Sequence, residues 1–382
     1  MRKLFNIAAL FTMLAACVSC SDSFENSKAV RFSVKTGDPG TKVSYSGYKE
    51  SNKERVDWTN GDMIWIWSPE SERPTSKEAY YVIRDVTPNG FYSEAGIDLY
   101  STEGTVYGLQ WNDDVATQHF FAVYPCPLQN RSVFFRMAMN QGQWDASCSA
   151  WYGATIPGTQ APTSVSTVNG ELVAEPDGHN LIMAAQDACE PNTLVHLDFE
   201  PVVTAVEFVV KNGYPESGTM NLKSIKLSAD SDPIVGKFTN YLAGSGQTSF
   251  ENTSKDLEVR FTTPLSIANG KTLKFTVFML GLKDSTDPDI DNVTIEFVTT
   301  GADANTTNSI KAKLKTTQGV MAFPRGKKSY VTGLLIPGAS VWTISAVPDT
   351  VTAWELEEMT VEVEDANPTP NPGGGNGGGD QR

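Results

Sequence analysis

Apolar and polar residues alternate with a period of two through much of this chain. Phe32 and Val34 alternate with Arg31, Ser33 and Lys35, Ile64 and Ile66 with Trp65 and Trp67, and Leu273, Phe275 and Val277 with Lys274 and Thr276. Successive side chains of a strand point to opposite faces, so this pattern predicts β-strands. Similar segments recur at 78–84, 119–124, 132–138, 195–199, 205–211, 222–228, 293–298 and 330–336. Short strands broken by turn residues predict an all-β sandwich or barrel. No stretch sustains a helical period, and the best helical candidate is a short turn near 180–186.

Turn chemistry supports hairpins. Asn60-Gly61 separates a strand ending at Trp58 or Thr59 from one beginning near Met63, and an Asn-Gly pair accepts the positive φ angles of a two-residue turn. Asn89-Gly90 and Asn269-Gly270 repeat the signal. From 140 to 177 the chain is rich in Gly, Ser, Thr, Pro and Gln, which predicts a large loop on a first domain.

The length exceeds a single hydrophobic core and predicts two domains, 29–190 and 191–338, divided where polar residues and Pro191 interrupt the strands. Residues 339–366 carry further strands. The tail 367–382, with Pro-Thr-Pro-Asn-Pro and a Gly/Asn run, has nothing to bury and is expected to be disordered.

The first residues change the picture. Arg2 and Lys3 precede an apolar run over 4–16, too short for a permanent span of about 20 residues, and the segment 1–16 reads as a secretion signal. Leu14, Ala15 and Ala16 before Cys17 match the pattern at which bacterial lipoproteins are cut and the cysteine is diacylated. Cys17 is the expected lipid carrier and Cys20 the alternative, with residues 17–28 as a tether. Several acyl chains on one cysteine anchor a protein firmly to a membrane. The expected location is therefore the cell outer membrane, as a surface-exposed lipoprotein.

Losing Arg2 and Lys3 from 30 basic side chains leaves 28 against 45 acidic ones, a formal charge of −17. Such a field repels phosphate backbones, so nucleic acid is not an expected partner. Cys126, Cys148 and Cys189 form no disulfide framework and are expected as buried free thiols, with a single bridge as the alternative.

The residues name no reaction and no cofactor. His119, His179 and His196 fall in no zinc spacing, and Gly244-Ser245-Gly246 reads as a turn. Asp284, Asp287, Asp289, Asp291 and Asn292 resemble the start of a calcium loop, but glycine is missing at Asn292 and glutamate at Val298, so a solvated acidic hairpin is expected. Paired carboxylates discriminate nothing among 45 acidic residues. Trp65, Trp67, Trp111, Trp144 and Trp151 could form a sugar-stacking platform, although core and hairpin-face positions account for most tryptophans.

A set of spaced motifs resembles the fimbrillins of Bacteroidales, the subunits of type V pili. These are the strand 29–35 leading into Thr41-Lys42-Val43-Ser44-Tyr45; Trp58, Gly61, Asp62 and Ile64; and Phe121-Ala122-Val123-Tyr124-Pro125. Further on come Leu181-Ile182-Met183-Ala184-Ala185, Ile234-Val235-Gly236-Lys237-Phe238 and Gly326-Lys327-Lys328-Ser329-Tyr330, then Gly333-Leu334.

The resemblance implies two tandem transthyretin-like β-sandwich domains, exported as a lipoprotein precursor. It also implies cutting by a trypsin-like protease after a basic residue near the N-terminus, here Lys42 or Arg55. The cut would remove the lipid and the first strand, and another pilin subunit's C-terminal strand would fill the groove, building a fimbrium. The donor candidates are Met359, Val361 and Val363, which alternate with polar residues, and the earlier stretch Trp342, Ile344 and Ala346. Both are otherwise edge strands of their own subunit. The expectation is a non-enzymatic structural or accessory pilus subunit; the alternative is a surface glycan-binding outer-membrane lipoprotein.

Overall fold

The computed structural model describes residues 28–36, 49–50, 53–54, 58–71, 77–89, 92–100, 108–213, 219–230, 232–244, 248–280, 293–300, 307–316, 328–336, 339–345 and 361–362. Among them the chain is all β, apart from one 3-10 turn at Gly178–Asn180. In chain order the first strands are β1 (Arg31–Thr36), β2 (Lys49–Glu50), β3 (Lys53–Glu54), β4 (Met63–Trp67), β5 (Glu78–Asn89), β6 (Tyr92–Leu99) and β7 (Gln118–Tyr124). Next come β8 (Phe134–Ala138), β9 (Ser149–Ile156), β10 (Thr159–Gln160), β11 (Ser164–Val168), β12 (Glu171–Glu175), β13 (Met183–Cys189) and β14 (Leu194–Pro201). Then follow β15 (Thr204–Asn212), β16 (Met220–Ala229), β17 (Val235–Ala243), β18 (Ser249–Ser254), β19 (Asp256–Ile267) and β20 (Thr272–Met279). The last are β21 (Val293–Thr300), β22 (Thr307–Thr316), β23 (Lys328–Ile336), β24 (Ala339–Ser345) and β25 (Val361–Glu362).

Seven strands form a closed barrel in the order β1, β14, β13, β7, β4, β5, β6, with β6 returning to β1. The second half has two six-stranded sheets, β10-β19-β16-β21-β22-β25 and β11-β12-β20-β15-β23-β24. Alternation is clean where one face is buried: every second side chain of β14 and of β21 is withdrawn from water. A four-stranded sheet, β18-β17-β9-β8, joins strands of both halves, and Trp67 of the barrel stacks on Phe135 of β8 at 3.6 Å. Most buried apolar side chains of barrel and sheets form one continuous core, and Met63, Val82 and Cys126 form a small separate cluster.

Several local expectations change in the fold. The segment 140–177 is no loop: it supplies β9, β10, β11 and β12. It hides from pattern reading because β11 is exposed on both faces, whereas β9 is rich in small residues. Glycine is required within β9, since a Cβ on Gly153 would collide with the Phe238 carbonyl and the Phe134 ring.

No helical turn spans 180–186: the 3-10 turn Gly178–Asn180 ends where the expected one would begin, and β13 starts at Met183. Residues 190–192 belong to the connection between β13 and β14, which pair with each other in the barrel. The strand Leu194–Pro201 is therefore part of the first sheet system.

The Asn60-Gly61 turn is present. Gly61 has φ of +99°, and the Asp62 N–H donates to the Thr59 carbonyl at 3.0 Å. Trp58 and Thr59 before it are not in a strand. Asn89 pairs with Tyr92 across the β5–β6 connection, and Gly270, with φ of +73°, precedes β20.

Candidate functional site

The barrel closes through β1. Its register with β14 is parallel, setting Phe32 beside Val195, Val34 beside Leu197 and Thr36 beside Phe199. Val195, Leu197 and Phe199 are the buried positions of β14, while Leu194, His196 and Asp198 are exposed and stand beside Arg31, Ser33 and Lys35. The two alternations match face for face, and a slip of one residue would turn every apolar side chain outward.

On its other side β1 runs antiparallel to β6, with Val34 opposite Ala95 and Lys35 opposite Glu94. Lys35 thus lies in register with an acidic residue on both flanks. Just before β1, the Val30 N–H donates to Leu109 and the Trp111 N–H to Lys28, at 3.1 and 2.8 Å.

Beneath the strand lies an apolar seat. Val34 is fully buried, and the Phe32 ring meets Tyr81 and Phe120 edge-on at 5.1 and 5.6 Å. Without β1 the barrel becomes an open sheet whose terminal strands, β14 and β6, face each other across a slot. At about 4.8 Å between neighbouring strands the slot is roughly 10 Å wide, the space of one strand. Removing β1 would strip ladder partners worth about 1 kcal/mol each and uncover side chains worth about 1.5–3 kcal/mol each. Any strand of matching alternation could restore both.

Of the residues singled out in sequence, Cys17, Cys20, Lys42, Arg55, Met359 and Val363 lie outside the described residues, as does Ala346. Lys42 and Arg55 follow β1 and precede β4 in the chain, so a cut at either would sever the covalent link between β1 and the rest of the barrel. Val361 lies in β25, paired with Thr316 of β22, and Trp342 and Ile344 lie in β24, antiparallel to β23. Both donor candidates therefore pair within their own chain, each at the end of a sheet.

The motif around Trp58 packs the barrel end. Trp58 meets Tyr124 and Phe199 edge-on at 5.4 and 5.3 Å, and the Asp62 carboxylate accepts the Thr59 N–H at 2.7 Å. Burial pushes the Asp62 carboxyl up to about 6, against the Thr59 hydrogen bond and the neighbouring His179. The His179 imidazole is raised by its hydrogen bond to Asp177.

Cys126, Cys148 and Cys189 are free thiols. Trp58, Trp67 and Trp111 are core residues, whereas Trp65 and Trp144 are only partly buried.

Pattern reading did not find an ionic cluster in the second half. Glu207 on β15 is fully buried between Lys274, at 3.0 Å, and Lys328, at 2.9 Å. Lys328 belongs to the Gly326–Tyr330 motif, whose charge is thereby given a structural partner.

The chain is thus an all-β protein whose first barrel is closed by its own N-terminal strand. No protein-family model matches it, and no curated protein matches it. Among solved structures it is similar to a candidate cell adhesion protein from Bacteroides ovatus, with 11% identity and a TM-score of 0.45, covering 87% of this chain and 99% of that one. A candidate cell adhesion protein from Bacteroides uniformis shows 14% identity and a TM-score of 0.40, over 89% of this chain and 98% of that one. A fimbrial assembly protein from Parabacteroides distasonis shows 9% identity and a TM-score of 0.37, over 87% of this chain and 98% of that one.

Proposed function

We propose that this chain is a structural or accessory subunit of a cell-surface pilus, exported as a lipoprotein and assembled by strand exchange after its first strand is cut away. The observation that carries the reading is the position of β1 as the single closing strand between β14 and β6, over the seat that receives Phe32 and Val34. Lys42 and Arg55 are the sites for a trypsin-like protease, Cys17 or Cys20 holds the lipid, and β24 or the strand around Val361 is the donor. A contact that pairs one end of a subunit with the other end of the next does not close on itself, and so builds a filament.

Digestion of the purified precursor with a trypsin-like protease is expected to give a ladder of detergent-resistant oligomers. The N-terminal sequence of its members should begin just beyond Lys42 or Arg55. A digest that loses β1 and stays monomeric at high concentration would refute the proposal.

A further inference from the structure

A second feature lies on the outer face of the barrel, away from the seat of β1. A half-open cleft of about 500 Å³ is lined by residues of β7 and β13, of the β8–β9 connection and of the end of β17. That volume is in the range of small-ligand sites. Its floor is aromatic: Phe121 lies 5.1 Å from the Trp144 ring, and His119 lies 5.9 Å from it on the same side of the sheet.

The connection carrying Trp144 is held rigid. Asn140 and Gln143 exchange backbone hydrogen bonds of 3.0 and 2.8 Å around Gln141 and Gly142, both at positive φ. The buried Cys148 sulfur accepts the N–H groups of Asn140 and Asp145 at 3.3 and 3.2 Å. At the rim, Gly244 must be glycine, because a Cβ there would lie 2.8 Å from the Cys148 carbonyl. A half-buried tryptophan on a fixed loop binds with little loss of side-chain freedom.

Polar side chains flank the ring. Glu70 binds the His119 Nδ1 at 2.8 Å and its backbone N–H at 3.0 Å, which leaves Nε2 as the ring nitrogen that Glu70 does not engage. The amide of Gln186, opposite Phe121 in the ladder, makes no hydrogen bond to any described residue, and neither does the Trp144 indole N–H.

We infer that this cleft binds a neutral glycan, with a sugar ring stacked on Trp144 and its hydroxyls bonded by Gln186 and His119. A pyranose offers an apolar C–H face to an aromatic ring and a rim of hydroxyls to such side chains. Asp145, beside Trp144 in the lining, disfavours anionic ligands.

The test is calorimetric titration of the intact purified chain with maltohexaose, xylohexaose, mannohexaose and chitohexaose. At least one should bind in the micromolar to millimolar range. Trp144→Ala and the surface change Gln186→Ala should each weaken binding by about tenfold or more, while Trp144→Phe retains part of it. Trp151→Ala, on the next strand but outside the cleft, should leave binding intact. Absence of binding by all four saccharides overturns the inference, as does binding indifferent to both the Trp144 and Gln186 changes. Saturable binding of tetramethylammonium chloride in place of sugar would make this a cation site and overturn it equally. The outcome is independent of the oligomer ladder that tests strand exchange.

Discussion

Val34 stands beside Leu197 in a parallel ladder, and both side chains are fully buried although they belong to opposite ends of the barrel's stretch of sequence. This pair is where the N-terminal strand locks the barrel. Val34→Ala is expected to lower the stability of the uncut chain by about 1.5–3 kcal/mol, measured by urea unfolding. After a cut at Lys42 or Arg55 it should also speed release of the first strand. Unchanged stability would mean that β1 does not close the barrel in solution.

Glu207 is the negative centre of a buried cluster with Lys274 and Lys328. Glu207→Ala removes the carboxylate that the buried Lys328 and the partly buried Lys274 share. The expected loss is about 3–5 kcal/mol, read as a lowered unfolding midpoint. Lys328→Ala should cost less, because Lys274 still pairs the carboxylate.

Asp62 sets a pH dependence of definite sign. Its carboxyl is raised from 3.8 to about 6 by burial, so between these values the native state keeps a proton that the unfolded chain has lost. Its contribution to stability therefore falls as pH rises through this window, by roughly 3 kcal/mol for a shift of this size. Asp62→Asn can still accept the Thr59 N–H and removes the titration. The stability difference between Asp62→Asn and the parent should grow in the variant's favour from pH 4 to pH 7, by thermal unfolding in a pH series. A flat difference would mean that the Asp62 carboxyl is not raised by burial in solution.

The three thiols should react unequally. Cys126 is fully buried and its thiol is pushed up by burial, whereas Cys189 is only partly covered. In a chain with Cys17 and Cys20 changed to serine, a thiol-specific dye should label Cys189 first. Cys126 should remain unlabelled until denaturant is added. Early labelling of Cys126 would show that the cluster with Met63 and Val82 opens in the native state.

Alternating side chains made most strands readable from sequence, because period two is a local consequence of strand geometry. The segments around Phe32, Val195 and Phe275 are strands as the pattern predicts, and the all-β class follows from them. Where alternation fails, so did the reading. Residues 182–185 are apolar without a break and buried on both faces, which sequence cannot distinguish from a helical turn. Residues 190–192 have the composition of a linker, but a tight connection between paired strands uses the same residues.

Most strand positions, the turn chemistry and the acidic balance are legible in the residues alone. The parallel pairing of β1 with β14 that closes a barrel, the meeting of Glu207 with Lys274 and Lys328, and the place of Trp144 over β7 and β13 emerge only in the folded chain. The physical reason is range. Alternation is imposed by a residue's immediate neighbours, whereas pairing is chosen by burial and hydrogen bonding between segments far apart along the chain, and no local pattern records which segments those are.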